Sequence, residues 1–151
     1  MAVVGKRTGP SMELCGTLLF EKGEEDAFVA RYDADGGCLW AVGLGGSKMD
    51  YPTDVRCDAS GNVYLSGVTF SNNFEVGDGV YLQKTGTASA FFLKLDPAGE
   101  HLWSFSVGGD DMEIGTALAV SDDARLSGAV QFESDVLPFD GGQYTNAGVR
   151  D

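Results

Sequence analysis

Little in this chain is equipped for the commonest kinds of site chemistry. One histidine, His101, rules out a histidine-rich metal centre, and nothing in the sequence supplies it with a serine or cysteine nucleophile as partner. The three cysteines, Cys15, Cys38 and Cys57, are too few and too irregular for a disulfide framework, and no C-x-x-C spacing points to zinc. Cys38 and Cys57 fall on consecutive expected strands and could pair in an oxidising compartment; the other reading is two small buried apolar residues. Positive charge is scarce: 10 Lys and Arg stand against 23 Asp and Glu, a net charge of -13 with no basic cluster. Such a surface repels phosphate backbones and anionic membranes, which disfavours nucleic acid as a partner. No apolar run of 18 or more residues exists to insert in a bilayer, and Met1 to Pro10 lacks the apolar core of a secretory signal.

What the chain does have is glycine, 22 residues of 151, a hydrophobic share of 43%, and repetition. Asp26-Ala27-Phe28 returns as Ser89-Ala90-Phe91, and Asp151 opens the pattern again. Leu39-Trp40 returns as Leu102-Trp103, Gly45-Gly46 as Gly108-Gly109, Met49 as Met112 and Thr53 as Thr116. Ser66-Gly67 returns as Ser127-Gly128 after a local shortening by two residues. A unit that recurs must bury its apolar face against a copy of itself, so this periodicity sets the architecture.

Each period reads as four short alternating segments. Phe28, Ala30 and Tyr32 share one face of a first strand, matched by Phe91, Leu93 and Leu95. After the turn Asp33-Ala34-Asp35-Gly36, a second strand carries Trp40, Val42 and Leu44, matched by Trp103, Phe105 and Val107. Thr53, Val55 and Cys57 mark a third, matched by Thr116, Leu118 and Val120. The turn Asp58-Ala59-Ser60-Gly61 leads to a fourth, Asn62 to Thr69, with Leu126 to Gln131 as a shorter echo. Helical spacing is absent, so the expected unit is an antiparallel four-stranded meander, the blade of a β-propeller. The linkers from Phe70 to Ser89 and from Glu133 to Arg150 also echo each other, with Gly23, Gly86 and Gly148 at matching places, and are expected to be structured. Aligning Gly5 with Gly67 puts Met1 to Thr8 on a fourth strand. The expected organisation is an outer strand and linker of a preceding blade over 1–25, one blade with its linker over 26–88, and another over 89–151.

The string Asp26-Ala27-Phe28-Val29-Ala30-Arg31-Tyr32 through Leu39-Trp40, followed by Gly45-Gly46-Ser47, Thr53-Asp54-Val55 and Asp58-Ala59-Ser60-Gly61-Asn62-Val63-Tyr64-Leu65-Ser66-Gly67, resembles the SBBP-type β-propeller repeat. Residues 26–69 match closely and 89–131 more loosely. The second copy departs at Ser89, Ala117, Ser121 and Ala124-Arg125. The resemblance implies a multi-blade, often secreted or cell-surface protein, and it implies no one biochemical activity. A ring needs about four to eight blades. The expectation is therefore a segment of about two and a half blades that meets further blades in a longer protein, or else self-associates.

Several residues invite functional readings. Asp33 and Asp35, at alternate positions before Gly36, resemble the opening of a calcium loop, but the matching turn Asp96-Pro97-Ala98-Gly99 loses the middle acid and neither copy has the closing glutamate of an EF-hand. An aspartate-capped hairpin turn is the alternative. The paired glycines have no following helix or lysine with which to cradle phosphate. Trp40 and Trp103 could stack on a sugar, yet their fixed register one period apart points to packing between neighbouring blades. Asp50, aligned with Glu113, and Asp110 with Asp111 are the best placed for a general acid and base, or for a cation, at one end of a propeller. No catalytic or cofactor-binding residue is assigned. The leading expectation is an interaction scaffold for a protein or glycan partner; the alternatives are a propeller enzyme using channel acids and a calcium-stabilised repeat.

Overall fold

The computed structural model describes residues 1–146, and over them the chain is all-β, with antiparallel sheets and no helix. No helix among the described residues is therefore long and apolar enough to cross a membrane. In order, the strands are β1 (Ala2–Arg7), β2 (Ser11–Leu14), β3 (Thr17–Phe20), β4 (Asp26–Tyr32), β5 (Cys38–Leu44), β6 (Asp50–Cys57), β7 (Val63–Thr69) and β8 (Asn73–Glu75). They continue as β9 (Tyr81–Gln83), β10 (Ser89–Leu95), β11 (His101–Val107), β12 (Glu113–Val120), β13 (Leu126–Phe132), β14 (Val136–Phe139) and β15 (Gly142–Thr145). The expected opening at Asp151, with Gly148 and Arg150 before it, lies outside the described residues.

The strand positions follow the sequence pattern, but the sheets are framed differently. The meander expected over one period is broken between its second and third strands: β5 and β6 lie in different sheets. One sheet runs β1-β4-β5, the next β11-β10-β7-β6, and a third pairs β12 with β13. A four-stranded sheet thus takes its third and fourth strands from one period and its first and second from the next. The break occurs at the double glycine. A Cβ on Gly46 would lie 2.4 Å from the Asn73 carbonyl oxygen and 2.5 Å from the Ser71 side chain, so only glycine lets the chain turn out of the ladder there. Asp50 then resumes by donating its N–H to the Glu25 carbonyl at 2.8 Å.

Register in the second unit also differs from the letter alignment. Pro52 lies opposite Gly67, and its counterpart Gly115 lies opposite Val130; Asp50 faces Thr69 as Glu113 faces Phe132. The offset is therefore 63 throughout β6–β7 and β12–β13, with no shortening by two, and Gly128 is the counterpart of Leu65. Both intervening turns hold five residues, Asp58–Asn62 and Ser121–Arg125, closed by the same main-chain bonds. Packing volume is traded across the seam: Val29 and Leu65 share the first core cluster, while at the matching places Phe92 is large and Gly128 has no side chain. A Cβ on Gly128 would lie 2.6 Å from the Phe92 ring.

In the second turn Ala124 takes the left-handed place of Gly61, with φ of 62° against 86°. A Cβ there is unfavourable by about 1 kcal/mol. Ala124→Gly is therefore expected to raise the unfolding midpoint by a few degrees in a thermal melt, whereas Gly61→Ala should lower it.

The core has two main parts. The first gathers Ala27, Val29 and Leu44 with Val63, Leu65, Phe74, Val76 and the β10 residues Phe91, Leu93 and Leu95, all fully buried. The second gathers Tyr64, Ala90, Phe92 and Val107 with Leu118 and Leu137. Trp40 borders the first and Trp103 the second. Trp40 Nε1 donates to the Pro97 carbonyl at 2.9 Å, tying β5 to the β10–β11 turn of the neighbouring sheet. Trp103 meets Tyr64 edge-on at 6.1 Å and stacks on Phe105 at 5.8 Å.

Over the described residues the linkers are structured, as their repetition implies: each forms a hairpin, β2–β3, β8–β9 and β14–β15. Two turn on two left-handed residues, Cys15-Gly16 and Asp140-Gly141, as two-residue hairpins require. Neither reading of Cys38 and Cys57 holds: they are not paired with each other, and neither is buried. Cys15 is bonded to Cys38, 23 residues apart with Cα atoms 5.2 Å from each other, while Cys57 is free and exposed at the end of β6. The sheet break explains this, because β5 and β6 do not pair and the β2–β3 hairpin folds over β5 instead. Closing a loop of this length limits the unfolded chain by about 3 kcal/mol. Cys15→Ser, or reduction with dithiothreitol, is expected to lower stability by about that amount in urea unfolding, with Cys57→Ser neutral.

Candidate functional site

Of the acids singled out after the double glycines, Asp50 and Glu113 are buried, and they do the same task in both units. Asp50 opens β6 fully buried. Its Oδ2 accepts the Gly46 N–H at 2.8 Å and the Ser71 hydroxyl at 2.8 Å, and its Oδ1 accepts the Thr69 hydroxyl at 2.6 Å. One carboxylate thus joins the glycine bend, the end of β7 and the start of the linker. Ser71 passes the connection on by accepting the Lys48 N–H at 2.9 Å. Burial raises the Asp50 carboxyl above its ordinary value; the hydrogen bonds from Thr69, Ser71 and Gly46 oppose that rise without cancelling it.

Glu113 opens β12, also fully buried. Its Oε2 accepts the Gly109 N–H at 2.7 Å, and its Oε1 accepts the Ser134 hydroxyl and, at 3.3 Å, the Ser134 N–H. Ser134 in turn accepts the Asp111 N–H at 2.9 Å. Phe132 stands where the first unit has Thr69, so one donor is lost, and the longer glutamate side chain gains the Ser134 amide in its place. Asp110 and Asp111 are exposed, and Asp111 contributes its main chain by accepting the Thr87 and Ala88 amides.

A third buried acid, Asp26, pairs with Arg7. Arg7 Nη2 lies 3.0 Å from Asp26 Oδ2, which also accepts the Lys22 N–H at 2.7 Å. The next unit carries a neutral version: Thr69 faces Ser89 in the register where Arg7 faces Asp26, and the Thr85 N–H donates to Ser89 Oγ at 3.0 Å. Arg7, Thr69, Ser71 and Ser134 carry no warning in their own stretch of sequence. The recurrence of Ser71 as Ser134 at the same 63-residue offset is the one signal that points to them.

The remaining candidates lie apart from one another. Asp33 Oδ1 accepts the amides of Asp35 at 3.0 Å and Gly37 at 2.7 Å, and Asp96 Oδ1 does the same for Ala98 and Glu100. Asp35 is exposed. Among the described residues, no three His, Cys, Asp or Glu side chains are gathered as a metal ion would need. His101, half-buried at the start of β11, has Nε2 3.0 Å from Ser104 Oγ and donates its N–H to Asp78 Oδ2. An open apolar cleft of about 440 Å³ lies between β11, β13 and the β14–β15 hairpin, and its lining holds no acid and no histidine. The recurring carboxylates can therefore brace the fold, and neither lies in the wall of that cleft. No family model matches the chain, and no curated protein matches it.

Proposed function

We propose that this chain is a non-catalytic segment of a β-propeller repeat protein, of the SBBP type its sequence resembles, and that it serves as an interaction scaffold among further units of the same kind. The observation that carries this reading is the use of its recurring acids. Asp50 and Glu113 are buried and fully engaged in bonds within their own unit, which leaves them no substrate to protonate. What varies from unit to unit is the surface of the linker hairpins, where Leu18 and Phe20, Tyr81, and Phe139 and Tyr144 are exposed. Exposed aromatics on a rigid frame suit a protein or glycan partner. The Cys15–Cys38 bond fits an oxidising, extracellular or cell-surface setting.

Surface plasmon resonance against immobilised oligosaccharides and proteins tests the reading. Replacing Phe20, Tyr81 and Tyr144 together by serine should abolish a saturable interaction that Asp50→Asn leaves intact. Finding the reverse, an activity or interaction lost in Asp50→Asn and indifferent to the hairpins, would remove the basis for a scaffold.

A further inference from the structure

The two core clusters share a set of matching positions and differ most at the β10 side chains. Ala27, Val29, Leu44, Val63 and Phe74 in the first correspond to Ala90, Phe92, Val107, Leu126 and Leu137 in the second. The first also contains Phe91, Leu93 and Leu95, three side chains at alternate positions of β10, and among the described residues the second has nothing in their place. Their space is the apolar cleft. Strand burial makes the same comparison: all seven residues of β7, whose edge β10 covers, are buried, whereas none of the seven in its counterpart β13 is. Tyr144, paired with Leu137 as Leu82 is with Phe74, is 55% exposed where Leu82 is 9%.

We propose that the edge of β13, unpaired among the described residues, and the cleft beside it form a docking site for a β-strand of this same repeat type, which adds antiparallel to β13 and presents three alternate apolar side chains opposite Val130, Gly128 and Leu126. This rests on the repeat-array reading and names the partner chemistry. Main-chain pairing supplies register, and the alternate side chains supply selectivity, as in other strand additions. The occupant's third residue is smaller than phenylalanine, because Val130 stands where Gly67 makes room for the Phe91 ring. A second copy of this chain has no such strand to offer. Its β4 is held by β1 over six paired residues and the buried Arg7–Asp26 pair, and its β10 is held by β7 over seven.

The probe is a fluorescein-labelled peptide of residues 88–107 carrying Phe91→Val, titrated with the full chain and read by anisotropy. Saturable one-to-one binding is expected. It should weaken at least tenfold when the peptide also carries Leu93→Lys and Leu95→Lys, and slow hydrogen exchange should appear at residues 126–132. Absence of saturable binding, equal binding of the lysine peptide, or protection elsewhere would overturn the proposal. So would a dimer in sedimentation, without peptide, that Leu126→Lys dissociates, since it would assign the edge to a second copy. Failure here with hairpin-dependent partner binding intact would leave the scaffold reading standing, and the opposite pair of results would separate them the other way.

Discussion

Arg7→Ala is expected to cost about 3–5 kcal/mol of folding stability, the usual penalty for leaving a buried charge uncompensated. Both side chains of the pair are almost wholly enclosed, at 4% and 3% exposure, so neither Asp26 nor the truncated arginine site can recover much from solvent. The loss should fall on β1 first, because Arg7 and Asp26 terminate the β1–β4 ladder. A double substitution supplies the control. Arg7→Thr with Asp26→Ser copies the Thr69 and Ser89 arrangement already present one unit later, and a serine at 26 can still accept the Lys22 amide as Ser89 accepts that of Thr85. The double variant should regain most of what either single variant loses, giving a coupling of about 2 kcal/mol or more in a urea-unfolding cycle. Additive losses would mean that the charges stabilise the sheet independently of each other.

Asp50→Ala should cost about 3–4 kcal/mol, since it strands the buried Gly46 amide and Ser71 hydroxyl and leaves the Thr69 hydroxyl only the Ser71 carbonyl at 3.4 Å. Asp50→Asn is expected to behave quite differently. Its carbonyl can take the Oδ2 position and keep the Gly46 and Ser71 bonds, and Thr69 can turn its proton toward the Ser71 carbonyl 3.4 Å away. At neutral pH the asparagine variant should therefore lie within about 1 kcal/mol of the parent. The pH dependence separates the two proteins further. Burial raises the Asp50 carboxyl above 3.8, so the folded chain holds this proton at pH values where the unfolded chain has released it. Over that window, which begins near 3.8 and extends upward, the Asp50 contribution to stability falls as pH rises. Asparagine does not titrate, so the difference between parent and variant should move in favour of asparagine from pH 4 toward neutrality. A constant difference across urea titrations would show that the carboxyl ionises alike in both states.

The strands and turns were legible because they depend on neighbours in sequence. Alternation places Phe91, Leu93 and Leu95 on one face, and Asp33 and Asp96 make the turns that their glycine-terminated tetrads imply. The framing of sheets was not legible, since it depends on where the chain leaves the ladder, and Gly46 is forbidden a side chain by Asn73 and Ser71, 25 or more residues away. Register failed for a related reason. The Ser-Gly letters at 66–67 and 127–128 invite alignment, but two five-residue turns and the exchange of Leu65 with Gly128 against Val29 with Phe92 fix a different pairing. Asp50 and Glu113 are legible as recurring acids but their enclosure is not: nothing local to either announces that Ser71 and Ser134 will bond to them.

The interlocked sheets bear on how such a chain can lengthen or shorten in descent. The β1-β4-β5 and β11-β10-β7-β6 sheets each draw strands from two adjacent copies, so unequal crossing-over between tandem gene segments that inserts or deletes one whole 63-residue length rebuilds an equivalent ladder at the joint. Copy number can then drift without any newly created junction having to be optimised, while an insertion of any other length sets Phe91-type rings against the wrong neighbours.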